Sequence, residues 1–200
     1  MARKLAAERY RVCLAARNIE KLAGLAKETS ALVYACDATQ PEQVERLFAE
    51  AGVPDVVVFN AAGRARGPIA SLKPEDVRDS LMANAFAAFL VGQAAARVMT
   101  SGTILFTGAS ASVKGFAGSA PFAMGKFAVR GLAQSLAREL GPKGIHVAHV
   151  IIDGGIRTAP DANDSQLDPD AIADVYLHLI AQPRSAWTHE VDLRPWSESF

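Results

Sequence analysis

The chain predicts an α/β fold: a doubly wound, mostly parallel sheet with helices on both faces, in three layers. Three observations carry that expectation. Short strand-like runs alternate with amphipathic helical segments along nearly the whole length. The runs at 56–59 and 104–106 are apolar without interruption, as strands buried on both faces are. Residues 104–140 pass from such a strand, through a loop of small residues at 108–119, into a helix. An open α/β sheet places its chemistry at such a junction, outside the carboxyl ends of the strands.

Residues 1–9 (MARKLAAER) are helical in composition but lack an N-cap. Residues 11–16 read as a strand, 18–27 as a helix, 31–35 as a second strand, and 41–51 as a helix with Pro41 at its first position. The strand 56–59 is bounded by Pro54-Asp55 and Asn60. A long helix opens at Pro74, with Glu75 and Asp76 in the first turn, where acidic groups suit the helix dipole, and runs to about Met99. From Phe122, Val129, Leu132, Leu136 and Leu140 repeat at three and four residues until Gly141-Pro142 stops the helix. A strand at 145–152, a helix at 169–180 and a strand near 190–193 complete the chain. Neither a repeat nor a linker interrupts it, so residues 1–200 form one domain.

Half of the 200 residues are hydrophobic, enough for a real core, and 21 basic residues balance 21 acidic ones. That balance argues for neither nucleic acid nor an anionic membrane as partner. We find no apolar run long enough to span a bilayer and no signal peptide. Cys13 and Cys36 read as reduced core cysteines of a cytoplasmic protein. His146 and His149, three apart on a strand, point to opposite faces, and His178 and His189 lack partners, so no metal site is expected. Asn84 occupies the stripe Val77, Leu81, Asn84, Ala88, Val91 and Ala95, where periodicity asks for an apolar residue. A buried amide must find partners or cost roughly 1–3 kcal/mol.

Phe122 and Lys126, four apart on one helix face, follow a strand and a serine-rich loop. Here the sequence resembles the short-chain dehydrogenase/reductase family, whose motif at this place is Tyr-x-x-x-Lys. Lys126 matches the lysine, and Phe122 replaces the tyrosine. The serine that precedes the tyrosine by thirteen residues falls on Ala109, with Ser110 one residue on. The resemblance implies a Rossmann-like domain in which Lys126 binds the nicotinamide ribose and Asn84 holds a water that relays protons through the lysine. Ser110 would serve only if the loop is re-registered.

The resemblance further assigns Asn60, Ala61 and Gly63 to the family's Asn-Ala-Gly turn beside the adenosine, with the asparagine tying adjacent strands together. Asp37 and Ala38 would meet the adenine. Arg17 and Asn18 lie where cofactor choice is set; Arg17 favours the 2′-phosphate of NADP over NAD, which remains the alternative. Gly154, Ile156 and Thr158 would contact the nicotinamide carboxamide, although Asp153 replaces the family's proline. The expected activity is hydride transfer between NADP(H) and a small carbonyl or alcohol substrate, altered or weak without the tyrosine. The alternative is an inactive member that binds nucleotide or pairs with a partner subunit. A homodimer or homotetramer through the helices 74–99 and 122–140 is also implied. Residues 11–16 correspond to the family's second strand and 1–9 to the end of its first helix. The first strand and its glycine-rich loop would then be absent from these residues, leaving two strands with unpaired backbone unless residues precede Met1 or another segment fills the gap.

Overall fold

The computed structural model describes residues 1–198; the last two residues of the expected 1–200 domain lie outside the described residues. Six strands occur among the described residues: β1 (Cys13–Ala16), β2 (Leu32–Ala35), β3 (Val56–Phe59), β4 (Gly102–Thr107), β5 (Ile145–Ile152) and β6 (Glu190–Leu193). The helices are α1 (Ala2–Ala7), α2 (Ala23–Thr29), α3 (Pro41–Ala51), α4 (Pro74–Leu81), α5 (Ala87–Val98), α6 (Ala120–Leu140) and α7 (Pro169–Ala181). Every strand pair within the sheets is parallel, which gives the Rossmann-like α/β architecture that the alternation predicts.

The sheet is divided. β1 pairs only with β2, while β3, β4, β5 and β6 follow one another in a separate sheet. Between β1 and β3 lies a cleft of about 840 Å³, lined by both strands and by Met1, Ala2 and Leu5. This is the gap expected of a doubly wound sheet without its central strand. Burial follows the division: β5 is buried throughout and the middle of β4 is equally dry. β3 is only half-buried except at Phe59, because one of its edges faces the cleft. The expectation of a strand buried on both faces is thereby corrected at Val56, Val57 and Val58. Cys13 also departs from the core assignment, since it is exposed on the cleft side of β1, whereas Cys36 is buried.

The larger core joins Phe59, Ile104, Phe106 and Val147 to Ala88, Ala95, Val129 and Leu140 on one face of the sheet. On the other face Leu105, Ala148, Val150 and Ile152 pack against Tyr176 and Leu179 of α7. α4 and α5 form one continuous helix of 25 residues, Pro74–Val98, whose most apolar window has a mean hydropathy of 1.3. By length and composition it is therefore long enough to cross a bilayer, contrary to the reading of the sequence. Its residues Ala87, Ala88, Ala94 and Ala95 are buried in the protein. Met82–Phe86, the joint of α4 and α5, is a turn of π-helix, and Asn84 sits at its centre.

Candidate active site

Lys126 enters the core from the second turn of α6, and only 3% of it is exposed. Its Nζ donates to the carbonyl of Thr107, 2.8 Å away, at the carboxyl end of β4. Burial, with a smaller push from the nearby Arg64 guanidinium, brings its pKa down to about 8. The ammonium therefore points toward the mouth formed by the strand ends.

Asn84 packs directly beneath the same helix. A side chain at Gly125 would meet the Asn84 Cβ at 2.7 Å, so α6 and the π-turn are in contact there. The amide is fully buried, as its place in the apolar stripe predicts. Its Nδ2 donates to the carbonyls of Gly63 and Ser80, both at 2.7 Å, and its Oδ1 is buried without a partner among the described residues. Asn84 sits at the centre of the π-turn, where its Nδ2 reaches the carbonyl of Ser80 four residues earlier.

Phe122 and Ala109 occupy the two positions where the resemblance implies hydroxyls. Phe122 is buried, and with Ala111 and Ala123 it forms a small apolar cluster against which Ala109 packs. The two replacements thus lie in one apolar cluster. Ser110 is half-buried and makes no side-chain hydrogen bond among the described residues, while the Ser112 hydroxyl accepts from the Ala109 N–H at 3.1 Å. The Phe122 ring lies between two cations: the Arg64 guanidinium is 4.5 Å from its centroid and Lys126 Nζ 5.7 Å. Tyr176 is no nearer to replacing the lost phenol. Its hydroxyl pairs with Thr107 Oγ1 at 2.7 Å, and burial pushes its pKa up to about 12.

The expected nucleotide contacts divide into groups. Arg17, Asp37, Ala38, Asn60, Ala61 and Ile156 all line the cleft between the two sheets. Thr107 lines it as well, and through its carbonyl joins the cleft to Lys126. Asp37 Oδ1 accepts from the Thr39 N–H at 3.0 Å and hydroxyl at 2.8 Å; these bonds, the backbone one foremost, hold its carboxyl below the usual range. Asn18 faces its own chain instead, its Oδ1 accepting from the Glu20 N–H at 3.0 Å. Asn60 is exposed, and its side chain makes no hydrogen bond among the described residues. Gly63 is held against α4 as the carbonyl acceptor of Ser80 and Asn84. Gly154 and the exposed Thr158 lie in the turn after β5, where Ile156 is bridged to Leu167.

Asp153, in the same turn, is 1% exposed and pairs with Arg194 at 2.6 Å and Lys114 at 3.6 Å. The carboxylate that replaces the family's proline thus cross-links the turn after β5 to the segment after β6. The histidines are also better partnered than their spacing suggests. His146 contacts the carbonyls of Leu179 and Thr188 and stacks on Trp187; His178 lies 3.4 Å from Gln182 Nε2. His149 Nδ1 lies 3.0 Å from Glu190, whose carboxylate also receives two bonds from Arg130, at 2.7 and 2.6 Å. Burial lowers the His149 pKa, and its Nε2 is buried without a partner among the described residues. No group of three or more potential metal ligands occurs among the described residues. Arg64 and the Arg130–Glu190–His149 cluster escaped sequence reasoning; the signal for Arg64 was its place directly after the Asn-Ala-Ala-Gly turn.

Comparison with known proteins agrees with this geometry. The short chain dehydrogenase family model matches residues 1–167. An uncharacterized oxidoreductase of Staphylococcus aureus (strain N315) is 28% identical over 205 residues, covering 94% of this chain and 87% of that protein. The crystal structure of a short-chain dehydrogenase from Rhodopseudomonas palustris superposes with a TM-score of 0.86 at 38% identity, covering 98% of this chain and 91% of the other. A metagenomic short-chain oxidoreductase solved in complex with NADP gives a TM-score of 0.83 at 29% identity, over 97% and 89% of the two chains. A family match over most of the chain and a superposition over nearly all of it place this protein among the short-chain dehydrogenases, a family of oxidoreductases.

Proposed function

We propose that the protein transfers hydride between NADP(H) and a small carbonyl or alcohol substrate, with water in place of the missing phenol as the proton carrier. The observation that carries this reading is the buried Lys126 amine, directed at the end of β4 with Asn84 packed under its helix. A charge so far from water is costly unless a ligand uses it, and lysines are retained in such places for function.

The residues fit a dinucleotide at both of its ends. Arg17 and Asp37 stand at one end of the cleft, a guanidinium for a 2′-phosphate and a carboxylate for an adenine amino group. Beside Thr107, which lines the cleft, Lys126 would donate to a ribose hydroxyl, and Asn84 Oδ1, buried without a partner among the described residues, would accept from a water. When bound, the nicotinamide supplies or takes up the hydride. Lys126 would hold the ribose and bias nearby water toward giving up a proton. Asn84 fixes the first water of the relay, while Phe122 and Ala109 form a dry wall against the substrate. A positioned general acid contributes about 100- to 10,000-fold, so a water relay leaves turnover low.

Fluorescence titration with NADPH, followed by assay against a panel of aldehydes and ketones, tests the reading. Binding that is lost in Lys126→Met, with slow turnover by the unmodified protein, supports it. NADPH binding without turnover, restored by Phe122→Tyr with Ala109→Ser, assigns the protein to nucleotide binding alone. The absence of NADPH binding overturns both.

A further inference from the structure

Arg64 is an exposed cation with no carboxylate partner among the described residues. No ion pair or hydrogen bond engages it among the described residues, and its one contact of note is the Phe122 ring. Stacking uses the flat face of a guanidinium and leaves all five N–H donors around its edge, the geometry that grips a carboxylate with two parallel hydrogen bonds. The backbone that carries Arg64 is pinned on both sides. Gly63, just before it, is tied by its carbonyl to Ser80 and Asn84, and a side chain at Gly63 would meet Ala83 at 2.8 Å. Gly67, three residues later, donates its N–H to the Gly118 carbonyl at 3.0 Å, which joins this loop to the one leading into α6. The backbone beneath Arg64 is therefore fixed, and its exposed guanidinium rests on the ring.

We propose that Arg64 docks a carboxylate of the substrate, so that the protein acts on small oxo acids or the corresponding hydroxy acids. The assignment of a reaction rests on the hydride-transfer reading above; the carboxylate site itself does not. Two parts of the site agree with an anionic, compact ligand. Phe122 and Ala109 provide an apolar floor without hydroxyls. Lys126 adds a second positive charge on the same ring.

The test is a titration of the full chain, without cofactor, by ligand-observed NMR. Pyruvate and benzoate are compared with their neutral isosteres, pyruvamide and benzamide, in the unmodified protein, Arg64→Met and Arg64→Lys. The unmodified protein is expected to bind each carboxylate about 10-fold tighter than its amide. Arg64→Met is expected to erase that preference and Arg64→Lys to keep part of it, since a point charge replaces the fork. Circular dichroism confirms that both variants fold. Equal binding of acid and amide overturns the proposal, as does a preference that survives in Arg64→Met. NADPH is titrated separately into the same three proteins. If Arg64→Met weakens NADPH and leaves carboxylates unaffected, the residue serves the cofactor and the proposal fails. If the Arg64-dependent preference is present while NADPH does not bind, the carboxylate site stands and the hydride-transfer reading falls.

Discussion

Burial has set the Lys126 amine near the point where it changes charge at physiological pH, and two predictions belong to this residue. The affinity for NADPH, followed by fluorescence titration, should fall as pH rises through about 8, where the amine loses the proton it donates. Because Arg64 helps to depress that pKa, the break should move upward in Arg64→Met. The second prediction concerns stability. The folded chain resists protonating this amine more than the unfolded chain does, so Lys126 destabilises the fold fully below about 8, and less as pH rises toward the ordinary lysine value of 10.5. Lys126→Met should raise the melting temperature at neutral pH by roughly 2–8 °C, a gain that shrinks in alkaline buffer even as NADPH binding is lost. Lys126 and Asn84 were legible in the sequence, one as a motif lysine and the other as a polar break in an apolar stripe. The partner of Asp153 was not, because Arg194 lies 41 residues further on and only the parallel pairing of β5 with β6 brings the two turns together.

The helices and strands that obey simple periodicity were predicted almost to the residue. Helix α3, strand β5 and strand β6 each have a sharp chemical start or stop. What periodicity missed was a local change of pitch. The π-turn between α4 and α5 carries no proline or glycine, and it arises from packing that fixes Asn84 against Gly63 and α6. The junction of β4 with its loop depends similarly on a single close approach. A Cβ at Gly108 would lie 2.3 Å from His149 Nε2 and 2.9 Å from the Ser112 hydroxyl. Gly108→Ala should therefore destabilise the protein by about 1–3 kcal/mol. Shortening the ring in Gly108→Ala/His149→Ser should recover part of that loss, a coupling that a double-mutant cycle of chemical denaturation curves would measure.

For the molecule as a whole, the surface of the long helices and the divided sheet have separate consequences. Phe89 on α5 and Met124 and Phe127 on α6 stand exposed, and we propose that they meet a second copy of the chain. Sedimentation should then show a species larger than a monomer, dispersed by Phe127→Glu. The sequence made the cleft legible only by counting strands against a family; its walls, and the exposure of Cys13, depend on long-range placement. No strand-to-strand ladder among the described residues joins β1 and β2 to the other four strands. The two parts are held instead by Cys36 and Val44 packing on Leu90 and Ala94, and by α1, which ion-pairs through Arg3 with Glu28 and through Lys4 with Asp174. Side-chain contacts of this kind part more readily than a continuous hydrogen-bonded sheet. Amides of β1 and β2 should exchange with deuterated solvent at least about 10-fold faster than those of β4 and β5. Since Arg17 and Asp37 ride on the looser part and Lys126 on the firmer one, a dinucleotide spanning both would act as a clasp, and its arrival should slow that exchange.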